Sequence, residues 1–581
     1  GRASGERRVW DNENLVESLP GVTLPLTYSI ARHAFGHLLV QHCLALGASP
    51  AAVEADRDAF RGLVGLVRGR AYYDQARMQR IADLVPMIRL GVAEAVTAAT
   101  PAPEGLSPEL MPAARALSLP VQLLRDTARG EGALEAFYAR AREVLDPLTG
   151  AAFTGMTLDE LRGVYDRVDR GLLRHWGGPM LNDALMKNWM GVLQHLARSW
   201  VPRVNSLVLT NRLVAGGGGL VSTEPVRRLV ELARGAGEDP RLRALLASDG
   251  ASEEVWEAIT SAPAYAGAAA GLRDYLARFG DRCADELKLE APSFADDPAA
   301  LVHALRAYAL APAPVSGDGG AGMRAEAEAV ARERLAPEHE APFFAVVELV
   351  RRLTRERENT RFERTLAFGV LRRVFQSIGR QLAEAGALAG PRDVFYLTAP
   401  EVFDWLTGHS ASGDLRPLVA ARRAEFEAYE RMPDPPPRFA THGPPALSPL
   451  EPLEALEGPG APPAPEGSLR GTGCCPGIVR APVQIVRDPR RAGPLSGRIL
   501  VAEHTDPGWT LLFPAAAGVL VQRGSILSHA ALVAREMGVP CVVGIPGLLD
   551  VLTDGEWVEM DGATGLVRRL ATASPSVSAA K

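Results

Sequence analysis

Residues 519–544, VLVQRGSILSHAALVAREMGVPCVVG, decide how the C-terminal part of the chain is read. The run opens on apolar residues suited to a buried strand that ends near Gln522, and Gly524 permits a tight turn directly after it. Ser528 stands where a helix N-cap is expected. The apolar spacing that follows predicts a helix over about 527–537. His529 then falls in the first helical turn, where unbonded amides and the positive end of the helix dipole hold an anion. A neutral imidazole is a good nucleophile toward phosphorus, and the helix end discourages its protonation. The oxygens of a phosphohistidine need donors, and Ser528 and Ser525 are candidates. Arg535 lies six residues on, so it is not directly above His529 on the helix. It either reaches the phosphoryl group through the fold or pairs with a neighbouring acid. A histidine at a helix start is ordinarily a satisfied surface or core group, so the position alone does not assign chemistry.

Working outward, IVRAPVQIV, GRILVAE, AGVLVQ, PCVVG and WVEMDGATGLVRRL are short, Val/Ile-rich and punctuated by Gly, Pro or Asp, which predicts strands. They define a small α/β domain at 468–573 with a core of its own, followed by a disordered tail at 574–581. Upstream, 433–467 is rich in Pro, Gly and Ala without period and reads as a flexible linker. Residues 1–432 carry apolar residues at three- and four-residue intervals, as in ARHAFGHLLVQHCLAL and RTLAFGVLRRVFQSIGRQLAEAG, and read as a mainly α-helical domain. The segment 311–322 reads as an exposed loop inside it, or as a boundary between two lobes. The expected fold class is therefore multidomain, a large helical domain followed by a small α/β one.

Composition bounds the rest. Over 581 residues, 47% apolar and 23% charged residues describe a globular chain large enough for two or three cores. A formal charge of −6 gives no general reason to expect nucleic acid or an anionic membrane as partner. Five cysteines, two of them the adjacent Cys474 and Cys475, fit neither a disulfide framework nor a zinc framework. No apolar run approaches the roughly 20 residues that span a bilayer. A cytoplasmic location is expected. His33 and His37 stand one helical turn apart, with His42 following, but no Cys or carboxylate pattern completes a metal site, and packing is their expected role. No metal site is assigned in the chain.

The run GSILSHAALVAREMGVPCVVG resembles the signature of the mobile phosphohistidine domain of phosphoenolpyruvate-utilising enzymes, the family of phosphoenolpyruvate synthase, pyruvate phosphate dikinase and the rifampicin phosphotransferases. The likeness extends to CCPGIVRAPVQIV, TDPGWTLLFPAAAGVLV and DGEWVEMDGATGLV. Ser525 stands where a second glycine is usual in the family, and Cys474 where Ser or Ala is common. In that family the histidine followed by two small residues is phosphorylated, which here is His529, and the domain swivels between two sites. Thr505 and Asp506 match a loop that closes near that histidine. With Gly524, Ser525, Ser528 and Arg535 they are the candidate phosphoryl-supporting residues. Upstream, NENLVESLPGVTLPLTYS, FGDRCADELKLEAPSF, RERENTRFER and PRDVFYLTAPEVFDW resemble, in order, the helical substrate domain of the rifampicin phosphotransferase group. Arg282 and Glu286 would share one helix face and pair, or meet donor or acceptor. Arg355 and Arg357 belong to a polar cluster that is otherwise an ordinary solvated face.

The resemblance implies a dikinase-type phosphotransferase that moves the β-phosphoryl of ATP, with Mg2+, through transient phospho-His529 to a small acceptor in the helical domain. Such an acceptor would be apolar and hydroxyl-bearing. No segment reads as the ATP-grasp module those enzymes use, and the chain starts without Met, so the donor site is expected outside it, in cis or on a separate subunit. The pyruvate-binding barrel of the synthases is not found either, which argues against pyruvate. Two alternatives stay open. One is a synthetase or ligase component in which phosphorylation activates a substrate for condensation. The other is a noncatalytic binding or regulatory protein that keeps the fold.

Overall fold

In the computed structural model, which describes residues 6–12, 15, 16, 18–85, 111–215, 221–310, 319–453, 467–489, 492, 493, 495–524 and 528–570, the chain divides into two units. The first is drawn from 1–187, 287–290 and 363–461, the second from 188–286, 291–362 and 462–581.

The first unit is helical around a core that includes Leu26, Phe60, Leu161, Phe375 and Phe395. Its helices start where the sequence provides caps. Pro25 opens the helix Pro25–Ala45, and Thr157 with Glu160 forms a capping box on Leu158–Gly171. The unit also carries a sheet that helical periodicity did not predict. β1 (Arg7–Asp11), β2 (Val64–Val67), β3 (Arg70–Asp74), β4 (Arg438–His442) and β5 (Glu451–Pro452) lie in the order β2-β3-β1-β4-β5, all antiparallel. Arg68 and Gly69, both at positive φ, make the two-residue turn between β2 and β3, matching the twist of a hairpin. β4 corrects the expectation that 433–467 is a flexible linker. It pairs with β1 along all five residues and buries Phe439 against Trp10 and Tyr72, while the Trp10 indole donates to Thr441 Oγ1 at 3.0 Å. Residues 454–466 of that segment lie outside the described residues.

The second unit joins a set of helices to the C-terminal α/β domain. The helices include Glu224–Glu238, Ala266–Phe279, Ala300–Ala309 and Gly319–Arg334, together with residues 337–362 of the helix Pro337–Glu384. The loop expected at 311–322 ends earlier than predicted, because 319–322 already form the start of Gly319–Arg334; 311–318 lie outside the described residues. Eight strands form the small domain's sheet: β6 (Ser468–Arg470), β7 (Thr472–Cys475), β8 (Ile478–Ile485), β9 (Ile499–Ala502), β10 (Gly518–Val521), β11 (Cys541–Val543), β12 (Trp557–Asp561) and β13 (Leu566–Arg569). They lie in the order β6-β13-β12-β8-β9-β10-β11-β7. The central β8-β9-β10-β11 pairings are parallel, so β10 and β11 need a crossover, and the helix His529–Met537 provides it. Gly538 ends that helix at a φ of 70°.

A core separate from the upstream helices was expected for this domain, and the packing is otherwise. Ile499, Val501, Leu520, Val558 and Met560 form a cluster internal to the domain. The alternate residues Leu500, Val519 and Val521 join Trp509, Phe513 and the 529–537 helix in one continuous core with Tyr275, Phe279, Phe294 and Tyr308. Strand residues point to both faces of a sheet, and here the second face is covered partly by upstream helices. Among the described residues, no helix is long and apolar enough to cross a membrane.

Candidate functional site

His529 is the first residue of its helix, which starts two residues later than the sequence predicted, and is 4% exposed. Ser528 occupies the N-cap, but its side chain makes no capping bond, which corrects the expected role. Its Oγ lies against Gly524, where a Cβ would stand 3.2 Å away, and its carbonyl accepts from Leu532. Gly524 itself sits at a φ of 138°, a conformation side-chain-bearing residues rarely adopt. Ser525 lies outside the described residues.

The residue that defines the site comes from the long helix. Glu358 Oε2 lies 2.8 Å from His529 Nδ1, with 1% of the Glu358 side chain exposed. Arg357 and Arg361 approach the other oxygen, Oε1, at 3.2 and 3.7 Å. Burial alone would push the Glu358 carboxyl up. The charge of Arg361, the hydrogen bond and charge of His529 and the charge of Arg357 outweigh it and hold the group down to about 2. An ionised carboxylate only accepts, so Nδ1–H donates to it, and in the neutral form of the ring the lone pair then lies on Nε2. Nε2 is buried and has no hydrogen-bond partner among the described residues, and the same holds for Ser528 Oγ and Thr505 Oγ1. Buried polar atoms left open in this way fit the oxygens of a ligand. They do not fit a magnesium site, since the carboxylate beside the ring is already taken up by His529 and two arginines. Among the described residues no cluster of His, Cys, Asp or Glu could hold a metal ion.

The other predicted residues separate. Arg357 is buried at Glu358, whereas Arg355 is more exposed and lies 3.7 Å from Glu356. Arg282 and Glu286 pair at 2.9 Å, both nearly buried, yet not on a helix: the helix Ala266–Phe279 has ended, and Asp285, at a φ of 59°, turns the chain between them. Asp506 binds backbone amides. Its Oδ1 accepts from the Gly508 amide at 2.9 Å, and its Oδ2 accepts from the amides of Asp285 and Glu286, the latter at 3.2 Å. Burial, then the charges of Asp285 and Glu286, push the Asp506 carboxyl well up against the pull of these amides. Arg535 is 2% exposed and donates through Nε to the Ala531 carbonyl; its charge draws on the thiols of Cys474, Cys475 and Cys541. In the first unit, His33 Nε2 lies 3.0 Å from buried Asp169, which also binds Arg174, and His42 is held neutral by burial.

Within RERENTRFER, the sequence gives Glu358 and Arg361 no role of their own. Their signal was an acid flanked by arginines one position before and three after it on a helix, which also describes an ordinary exposed charge cluster.

Comparison with known proteins bears on the same residues. Residues 494–565 match the PEP-utilising enzyme mobile domain, and residues 179–373 match the rifampicin phosphotransferase fourth domain. The two segments contain His529 and Glu358 respectively, and the resemblance read from the motifs holds for both. An uncharacterized protein of Mycobacterium tuberculosis is 34% identical over 394 residues, covering 65% of this chain and 42% of that protein. Rifampicin phosphotransferase of Streptomyces sviceus is 29% identical over 305 residues, 51% of this chain and 34% of the relative. Prodigiosin synthesizing transferase PigC of Serratia marcescens is 28% identical over 370 residues, 62% and 40% respectively. The chain thus spans less than half the length of each of these relatives.

Proposed function

We propose that this chain carries and delivers a phosphoryl group, with His529 Nε2 as the covalent carrier and a small molecule as acceptor. The observation that carries the reading is the asymmetry of the imidazole. Nδ1 donates to ionised Glu358, while Nε2 is buried without a protein partner among the described residues and, in the neutral ring, carries the lone pair. In the loading step that pair attacks the β-phosphorus, an N–P bond forms and the P–O bond to AMP breaks; water then cleaves the β–γ bond, releasing the γ-phosphoryl as inorganic phosphate and leaving phospho-His529. In delivery an acceptor oxygen attacks phosphorus, the N–P bond breaks and the pair returns to Nε2. Arg357 and Arg361 place positive charge beside the ring as the phosphoryl group arrives, and Ser528 Oγ offers a donor.

The donor in this reading is the β-phosphoryl of ATP, bound with Mg2+ by an ATP-grasp domain in cis or on another subunit. The acceptor is apolar and hydroxyl-bearing. Similarity to enzymes named rifampicin phosphotransferase supports both. A second reading draws on the likeness to a protein named prodigiosin synthesizing transferase: the phosphorylated oxygen is an activated intermediate that a second substrate displaces. A stable phosphorylated product separates the two.

The test supplies an ATP-grasp region, fused or added, with ATP labelled in the β-phosphoryl group. The expected result is acid-labile label on His529 with AMP formed, both abolished by His529→Ala. The same amount of acid-labile phosphate on a folded His529→Ala chain would refute the assignment.

A further inference from the structure

The loop at residues 504–511 of the small domain meets the turn at residues 282–286 through contacts that catalysis by His529 does not require. Asp506 crosses to that turn and accepts two consecutive backbone amides, those of Asp285 and Glu286. Presenting both amides to one carboxyl oxygen depends on Asp285 standing at a φ of 59°, which is costly for a residue with a side chain. Beside it, the backbone of Gly508 lies directly on the turn. A Cβ at position 508 would stand 2.2 Å from the Cys283 carbonyl oxygen and 2.6 Å from the Ala284 nitrogen, both backbone atoms that cannot yield as a side chain would. Further along, the Tyr308 hydroxyl donates to the Leu511 carbonyl. Trp509, Leu511 and Leu512 join Tyr275, Phe279 and Phe294 in one core.

We propose that Asp506 and Gly508 form a latch. It holds the 504–511 loop on the 282–286 turn and so fixes the docked position in which His529 meets Glu358. Asp506 is then a positioning residue, and its carboxyl group serves the register of docking rather than the phosphoryl oxygens. A carboxyl oxygen that accepts two adjacent amides sets position and rotation together, which apolar contact alone leaves loose. The steric fit at Gly508 sets the distance of approach. The purpose of the latch rests on the reading of His529 as carrier, whereas its existence does not.

Hydrogen exchange on the full chain tests it. The amides of Asp285 and Glu286 report the latch directly, and those of Leu520 and Val521 in β10 report the fold of the small domain. Asp506→Ala removes the acceptor, and Gly508→Ala acts independently by driving a methyl group into the Cys283 backbone. Each should speed exchange at 285 and 286 by about tenfold or more, leave β10 protected, and raise the rate at which phosphoramidate phosphorylates His529. Asp506→Asn, which keeps one acceptor oxygen, should recover part of the protection. Unchanged exchange at 285 and 286 in both alanine variants would overturn the proposal. So would an equal rise in β10, which would assign Asp506 to the folding of the domain instead. Failure of His529 to load in any variant, with the exchange pattern as expected, would sink the carrier reading and leave the latch standing.

Discussion

Replacing Glu358 by Gln should change which nitrogen of His529 carries the proton. The free energy involved follows from the site. Holding the carboxyl at about 2 against an ordinary 4.5 corresponds to on the order of 3 kcal/mol in favour of the charged form. Arg361, His529 and Arg357 share that preference. The 2.8 Å bond to Nδ1 then accounts for on the order of 1–2 kcal/mol beyond a neutral hydrogen bond. Losing it shifts the Nδ1–H to Nε2–H ratio by about five- to thirtyfold. Gln still offers a carbonyl, but its amide can turn and donate to Nδ1, which places the proton on Nε2 and removes the nucleophile's lone pair. Glu358→Ala leaves Nδ1 with no acceptor at that position and should shift the ratio in the same direction. The assay is 15N NMR of histidine-labelled chain, with the His529 signals among eleven histidines identified by their loss in His529→Ala. The parent should show protonated Nδ1 and unprotonated Nε2. A parent ring protonated mainly at Nε2, or a ratio unchanged in both variants, refutes the reasoning.

Three further outcomes follow from the packing and the charges. Phe439→Ala removes a fully buried ring stacked edge-on against Tyr72 at 4.9 Å and should cost about 3–5 kcal/mol in denaturant unfolding of the first unit; no loss would return residues 438–442 to the status of a free linker. Burial, with Asp146 nearby, raises Glu363 to about 6. Its folded value lies above the unfolded one, so the stability linked to it is present below about 4.5 and is lost as pH rises through about 6. Glu363→Gln should therefore raise the melting temperature more at about pH 8 than at about pH 4, and the reverse order would contradict the assignment. All five cysteines are buried, with Cys474 pushed up to about 11 and Cys475 to about 12 by burial. A thiol reagent should find none of them in the folded chain and all of them after denaturation, and fast modification of Cys474 or Cys475 in the native state would refute their burial.

The part of the site carried by contiguous sequence was legible. His529 at a helix start, the turn at Gly524 and the strand before it follow from neighbours in the chain, and periodicity found most of the helices. The remainder depends on distance along the chain. Glu358 stands 171 positions from His529, and no local pattern tells an acid that will be buried against an imidazole from one on a solvated arginine-rich face. Pairing of Arg282 with Glu286 was one of two roles left open by the sequence; they pair, but the helix meant to align them gave way to a turn that presents amides to Asp506. One strand and one hairpin were hidden for opposite reasons. Arg438–His442 follows a run of prolines that reads as linker, and its partner β1 is more than 400 residues away. Val64–Asp74 is an ordinary hairpin inside a stretch whose helical period dominates any wide window. The capping expected of Ser528 failed because its side chain turned toward Gly524, a choice set by packing that local propensity does not record.

The strand through which the chain enters the small domain, β6, is hydrogen-bonded beside the strand through which it leaves, β13, with Leu566 opposite Arg470 and Arg568 opposite Ser468. Entrance and exit therefore share one border of the sheet. A short peptide would join Arg569 to Ser468, and the exposed turn at Asp554 and Gly555 could supply new termini, since circular permutation succeeds at such tips. The arrangement brings both chain connections of the sheet to a single edge. A peptide joining them need bridge only the gap between two neighbouring strands, about 5 Å.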